Sequence, residues 1–473
     1  MSQEFDLAIL GAGPGGYVAA IRAAQLGMRV AIVEKEKLGG TCLHRGCIPS
    51  KALLRSAEVY ATLKERDKYG IVAEGVGIDF GKMQTRKQGI VDQLHKGVQY
   101  LMEKSKITVF KGYGRVMGPS IFSPQAGAVR IENEAGEQEM IVPRFLLLAT
   151  GSRPRTIPGL EIDKEYVLTA DEALQLDTLP ASMLIVGGGV IGIEWASMLS
   201  DLEVDVTVVE AAERILPQED EEVSREMARL LKKRKVKVVT GAKLLAETLV
   251  RGQGGLTIQA ETAGGVQRFH AEKMLVSVGR RANVENLGLE ATEVKVDGGV
   301  IEVGPFYQTA EPHIYAIGDV IGGLQLAHVA SHEGMIAVEH MAGLSPAPLD
   351  YTKVPRCTYS RPEVAGIGLT EAEARRQGYE VKTGRFSFKA LGKALVYGEN
   401  DGFVKLVADA RTDDLLGVHM IGPHVTELIS EAGLARVLDA TPWEIAHTIH
   451  PHPTLSEAMG EAALAVDGSA IQS

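Results

Sequence analysis

DLAILGAGPGGYVAAIRAAQLGMRVAIVEKE spans residues 6–36, and SMLIVGGGVIGIEWASMLSDLEVDVTVVEAA spans 182–212. Each stretch reads as apolar strand, glycine turn, small-residue helix, second apolar strand and acid. In the first copy the glycines are Gly11, Gly13 and Gly16, and the acid is Glu34. In the second they are Gly187, Gly189 and Gly192, with Glu210. The interval from first glycine to acid is the same in both.

A lone G-x-G-x-x-G carries little weight. Here each copy follows a strand, opens a helix and ends on a strand bearing an acid, which is the context a dinucleotide fingerprint requires. The first two glycines allow a tight turn and close approach to a pyrophosphate. The third lets helix pack on strand, and the helix N-terminus offers free N–H groups to the phosphates. The acid accepts hydrogen bonds from ribose hydroxyls. An ordinary βαβ unit with a glycine-rich turn is the bland alternative, and the duplication weighs against it. The expectation is an α/β fold with two Rossmann-like domains, each binding a dinucleotide. Glu210 suits a free 2′-hydroxyl and repels a 2′-phosphate, which favours NAD(H) over NADP(H). Arg214, four residues on, tempers that preference.

Two such sites require separate folding units. ATGSRPRTIPG (149–159) reads as a crossover, and a second break falls near VSVGRRANVENLG (276–288). IYAIGDV (314–320) reads as a strand ending in Gly-Asp, followed by a helix over HVASHEGMIAVEHMAG. SPAPLD (345–350) resembles a linker. Beyond it EVAGIGLT, FVKLVAD and LLGVHMIG alternate as short strands among helices, predicting an α+β tail with an antiparallel sheet. Alternation and turns over 121–145 predict a small β-meander on the first domain. The expected divisions are 1–150, 151–280, 281–348 (returning to the first domain) and 349–473.

The 473 residues carry a net charge of −11, and 45% are hydrophobic, enough for a large core. That balance argues against nucleic-acid affinity. The densest basic runs are KERDK (64–68) and LKKRKVKV (231–238), and the second reads as a solvated helix end. No basic leader, cleavage site or membrane-length apolar run is visible. The expected setting is the cytosol. The three cysteines do not make a secreted disulfide scaffold.

Two of those cysteines, Cys42 and Cys47, lie together in LGGTCLHRGCIPSK (38–51). In a regular helix, residues five apart point about 140° apart. Gly46 and Pro49 interrupt the helix, so a bridge can form. A cysteine near the start of the helix continued by KALLRSAEVYATLKE is expected to have a lowered thiol pKa. A structural disulfide fits a cytosolic protein poorly, and a metal site would need ligands beyond His44. A redox-active dithiol is the favoured reading. Cys357, in VPRCTYS, has no partner in sequence and reads as a buried structural thiol.

GGTCLHRGCIPSK resembles the active-site segment of the flavoprotein disulfide reductases, and in particular the branch that acts on dihydrolipoamide. The resemblance covers essentially the whole chain. It includes GAGPGG with Glu34, ATG at 149–151, GGGVIGIE, the Gly-Asp of AIGDV and HPHPTLSE at 450–457. It implies FAD at the first turn, NAD at the second, and a homodimer whose C-terminal domain forms the interface.

By that resemblance Cys42 is the interchange thiol, and Cys47 is the charge-transfer thiolate facing the flavin. His452 is the general base, paired with Glu457 and supplied by the other subunit; His450 is its rival. Asp319 bonds the ribityl chain, Lys51 lies near the flavin and pairs with Glu194, and Gly114 contacts the adenine half. Thr150, Gly151, Ala327 and Gly279 complete the expected cofactor contacts. The implied partner is the lipoyl domain of an acyltransferase in a 2-oxo acid dehydrogenase complex, the branched-chain one among the candidates. The start at the first strand predicts no fused lipoyl domain.

The implied roles agree with elementary chemistry. A thiolate must attack the Cys42–Cys47 disulfide, and a histidine is suited to generate it. A carboxylate behind the histidine fixes its tautomer and stabilises the imidazolium. A glutathione reductase would want basic residues where Glu210 stands. A mercuric reductase would carry a further cysteine pair near the C-terminus, where VDGSAIQS has none. A flavoprotein scaffold without catalysis would have no use for the dithiol with His452 and Glu457.

Overall fold

The computed structural model describes residues 3–119 and 126–472. The chain divides into two compact units. The first comprises residues 1–52, 85–155 and 280–349, and the second 53–84, 156–279 and 350–473.

In the first unit the opening apolar run forms β1 (Gln3–Leu10), the glycine turn opens α1 (Pro14–Gln25), and the next apolar run forms β2 (Val30–Glu34). β1 pairs in parallel with β2 on one side and with strand Gln138–Leu148 on the other. Thr108–Lys111 and Ile314–Ala316 extend the parallel sheet at its two sides. Both faces of β1 and β2 are covered along most of their length, which is why they read as continuous apolar runs. Leu7, Ile9, Ile32, Leu146 and Leu147 are fully buried, and each such side chain contributes about 1.5–3 kcal/mol of transfer free energy. Tyr113–Met117, Ala128–Glu132 and the start of Gln138–Leu148 pair antiparallel as a meander. Residues 121–125 of the expected meander lie outside the described residues.

The helix expected after the Gly-Asp turn is Ala327–Met341. It packs closely on α1: a Cβ on Gly334 would lie 2.9 Å from the carbonyl oxygen of Gly15. Ser152–Pro154 and Arg280–Ala282, one from each crossover, pair antiparallel.

In the second unit the repeat forms β3 (Ser182–Val186), α4 (Val190–Asp201) and β4 (Asp205–Val209). These strands sit in a five-stranded parallel sheet with Lys237–Val239, Lys273–Val276 and Val167–Leu168. LKKRKVKV begins in helix Glu221–Lys233, with Lys232 and Lys233 exposed. The tail forms a five-stranded antiparallel sheet that includes Glu363–Gly368, Phe403–Asp409 and Leu415–Gly422. Helices Val425–Val437 and Glu457–Val466 share its core. Cys357 lies on strand Arg356–Thr358 and is half-buried, not buried as its sequence setting predicted. No helix among the described residues is long and apolar enough to cross a membrane.

Candidate active site

The two glycine turns are built alike. Gly11 has φ 102° and Gly187 has φ 108°, so a side chain at either would be strained. A Cβ on Gly16 would lie 1.9 Å from the Gly11 carbonyl oxygen, and one on Gly192 would lie 1.9 Å from that of Gly187. Gly13 and Gly189 cap α1 and α4 with no side-chain hydrogen bond, and a Cβ on either would meet nothing within 4 Å. The helix starts thus carry no side-chain cap, and their first-turn N–H groups are the donor set a pyrophosphate uses.

Glu34 accepts from Ala12 N at 2.8 Å and from Glu36 N at 2.8 Å. Glu210 accepts from Gly188 N at 2.5 Å and from Ala212 N at 2.6 Å. A carboxylate has about four acceptor positions, so both acids keep capacity for ribose hydroxyls. These features fit a dinucleotide at each turn. The Arg214 guanidinium donates to the carbonyls of Glu219 and Pro217, both at 2.8 Å, and so is engaged by backbone. Gly279 has φ 102° and open space over its Cα.

Beyond β2 the chain returns to the first turn. Gly39 N donates to Ala12 O at 2.8 Å, and a Cβ on Gly40 would lie 2.6 Å from Gly13 Cα. That approach starts α2 (Gly40–Arg45), which carries Cys42. Gly46 ends it, and α3 (Cys47–Lys64) starts at once with Cys47 as its first residue. Pro49 does not delay the helix, because it falls in the first turn, where its missing N–H costs nothing.

The two cysteines are not joined as a disulfide and are hydrogen-bonded to each other. That bond and burial push the Cys42 thiol up, against the pull of the Lys51 charge. The lowering expected for a thiol near a helix start does not reach Cys42, which sits in the preceding helix. Tyr17, following Gly16, is also pushed up, by burial and then by Cys42. His44 Nε2 and His95 Nδ1 lie 2.8 and 2.9 Å from Leu38 O. No group of residues able to hold a metal ion occurs among the described residues.

Asp319 follows strand Ile314–Ala316, and its carboxylate accepts from Ser152 Oγ. Arg280 Nε in turn donates to Ser152 Oγ at 2.6 Å. Asn283 Nδ2 donates to Thr150 O at 2.9 Å, and Thr150 Oγ1 donates to Asn283 O at 2.8 Å. Gly114 lies against the ends of β1 and β2, where a Cβ would be 2.7 Å from Leu10 Cδ2. Ala327 opens its helix without a side-chain cap at the preceding residue. All of these belong to the first unit, with the cysteines and Lys51.

Glu194, buried on α4, accepts from Tyr359 N at 2.9 Å. His452 Nδ1 lies 2.8 Å from Glu457 Oε1, and Thr454 N donates to Glu457 Oε2 at 2.8 Å. Burial raises the Glu457 carboxyl, but the Thr454 N–H and His452 outweigh it and hold it below its ordinary value. The His452 side chain is 78% exposed, so its Nε2 edge is available to a reacting group. His450, the rival base, is 9% exposed and bonded to Glu431 Oε1 at 2.8 Å, which leaves it poorly placed to take a proton. These residues belong to the second unit.

Sequence reasoning did not single out Asn283, Ser152, Arg280, Tyr17 or His95. Arg280 and Asn283 stood in plain view within GRRAN, but only as part of a domain break.

Residues 5–334 match the family described as pyridine nucleotide-disulphide oxidoreductase, and residues 354–463 match its dimerisation domain. The chain belongs to this family and carries its dimerisation domain. It is 64% identical to a dihydrolipoyl dehydrogenase of Bacillus subtilis over 472 residues, covering 100% of both chains. It is 44% identical to a dihydrolipoyl dehydrogenase of Zymomonas mobilis, again over 100% of both. Among solved structures it is similar to LpdA of Mycobacterium tuberculosis, with a TM-score of 0.89 at 26% identity, covering 97% of this chain and 98% of that one.

Proposed function

We propose that this chain is a dihydrolipoyl dehydrogenase, oxidising dihydrolipoamide to lipoamide and reducing NAD⁺. The observation that carries the reading is the Cys42–Cys47 pair, held across Gly46 by a segment docked on the first glycine turn. The name shared by its full-length relatives supports the substrate.

In the productive direction the pair starts as a disulfide. His452 takes a proton from one substrate thiol, and the resulting thiolate attacks Cys42 Sγ, releasing Cys47 as thiolate. The second substrate thiol then attacks the substrate sulfur bonded to Cys42 and passes its proton to Cys42 as that bond breaks, so Cys42 leaves as a thiol and lipoamide leaves, with the first proton still on His452. Glu457 orients His452 and balances its charge while it holds the proton. FAD, when bound, would supply a two-electron carrier between the reduced cysteines and NAD⁺. Gly11, Gly13, Gly16, Glu34, Gly114, Thr150, Gly151, Asp319 and Ala327 would hold FAD, with Lys51 beside it. Gly187, Gly189, Gly192, Glu210 and Gly279 would hold NAD(H).

The dimerisation match supports a homodimer in which His452 and Glu457 serve the other copy's cysteines. The corresponding parts are an FAD domain of 1–150 and 281–348, an NAD domain of 151–280 and an interface domain of 349–473. The setting is the cytosol, and the partner is the lipoyl domain of an acyltransferase in a 2-oxo acid dehydrogenase complex. The test is NADH formation by the flavin-loaded protein supplied with dihydrolipoamide and NAD⁺. Robust turnover, much weaker with NADP⁺, supports the reading, and no turnover sinks it. Capture of a lipoylated acyltransferase core would identify the complex.

A further inference from the structure

Away from the residues assigned above, the second unit buries a lysine among carboxylates. Lys405, on strand Phe403–Asp409, places Nζ 3.2 Å from Asp220 Oδ1, 2.7 Å from Glu222 Oε1 and 2.8 Å from Glu371 Oε2. Burial works to lower its pKa, but the three carboxylates outweigh it, so the cation stays charged. Beside it Arg356 Nε donates to Glu219 Oε1 at 3.3 Å, and both Glu219 and Asp220 are buried.

Glu219 and Asp220 end the segment that begins at Glu210, and that segment leans on the second glycine turn. Ala212 N is held by Glu210 at 2.6 Å. Leu216 N donates to Gly188 O at 2.8 Å, inside the turn. Leu216 has φ 45°, a left-handed conformation that a leucine keeps only when its surroundings over-determine it. Ile215 fills the space over Gly188, where a Cβ would lie 2.8 Å from Ile215 Cγ2. The segment thus touches the nucleotide turn in its middle and is tied to the C-terminal sheet at its end.

We propose that Lys405 and Arg356 are positioning residues for NAD(H): they anchor segment 211–220, which in turn sets Gly188 and Glu210 in the nucleotide turn. The C-terminal sheet then governs nucleotide affinity without touching the nucleotide. This rests on the reading of the second turn as the NAD site. A purely structural role would lower thermal stability and leave nucleotide binding unchanged.

The test uses the full flavin-loaded chain with Lys405→Met, Lys405→Arg and Arg356→Gln. Four quantities are compared: KM for NAD⁺, Kd for ADP-ribose by calorimetry, the rate of reduction by dihydrolipoamide without NAD⁺, and Tm. Lys405→Met should raise KM and Kd about tenfold, the equivalent of about 1.4 kcal/mol, with the dithiol rate within about twofold. Lys405→Arg should restore most of the affinity, and Arg356→Gln should raise KM and Kd roughly threefold. A lowered Tm with KM and Kd unchanged overturns the proposal. Should Lys405→Met fail to fold, Arg356→Gln decides alone, and an unchanged Kd there is equally fatal. Failure of the unaltered protein to use NAD⁺ would instead overturn the reading beneath it.

Discussion

Glu34 and Glu210 each hold two backbone N–H groups, one inside the glycine turn and one two residues past the acid. Gly16 and Gly192 each admit no side chain, for the same reason and at the same distance. Past the acids the two copies part. After Glu34, Gly39 and Gly40 let the backbone settle on Ala12 and Gly13 and begin the helix that carries Cys42. After Glu210, Ile215 and Leu216 lie over Gly188, and the chain moves on to helix Glu221–Lys233. The phosphate frame is common to both, and the segment docked against it decides what each copy can do. Glycines there admit a redox pair, and branched side chains there close the turn.

The difference can be broken at its strongest point. Cys47→Ser leaves the first turn intact, so the protein should purify yellow and bind NAD(H), yet lose turnover with dihydrolipoamide by roughly a thousandfold or more. Steady-state assay and the flavin spectrum check this together. A variant that lost its flavin would show that the cysteine segment is part of the cofactor frame.

The proposed base, His452, offers a way to separate the dithiol half of the reaction from the nucleotide half. His452→Gln should slow reduction by dihydrolipoamide by about 10²–10³-fold, while reduction of the flavin by NADH stays within about twofold. Rapid-mixing traces for each half-reaction measure the two rates. Equal slowing of both would remove His452 as the base.

The likeness of the turns is tested by the same substitution in each. Gly16→Ala should yield protein without flavin. Gly192→Ala should stay yellow and accept electrons from dihydrolipoamide, with kcat/KM for NAD⁺ reduced about 100-fold, or about 2.7 kcal/mol. Loss of flavin from Gly192→Ala would collapse the distinction between the sites.

The smallest effect concerns acid. The Glu457 carboxyl is held below its ordinary value of about 4.5. A depressed folded-state pKa contributes stability above the unfolded-state value, and that contribution disappears as pH falls through the folded-state one. The Tm difference between the unaltered protein and Glu457→Gln should therefore persist down to about pH 5 and shrink only below about pH 4. A difference that vanished by pH 6 would contradict the depressed value.

What the sequence disclosed is what short spacing encodes. Both glycine turns, both acids, the cysteine pair and the His452–Glu457 turn depend on residues a few positions apart or on one βαβ unit. What it concealed is held by long-range contacts. Asn283 is bonded to Thr150, and Arg280 steadies Asp319 through Ser152, across stretches of chain that no periodicity links. Lys405 read as one polar residue in the apolar strand FVKLVAD, with no hint that three carboxylates would surround it. The lowered thiol pKa was argued from a helix start that turned out to belong to Cys47. For Cys42 the partner sulfur and burial prevail, and spacing discloses neither.

The most direct measurement is anaerobic titration of the flavin-loaded protein with dihydrolipoamide, followed by one equivalent of NAD⁺, with Cys47→Ser in parallel. The account predicts a long-wavelength absorbance band in the unaltered protein as the cysteine pair is reduced. That band should disappear as NADH forms and be absent throughout from Cys47→Ser. A spectrum unmoved by dihydrolipoamide, or a band of equal strength in Cys47→Ser, would contradict it.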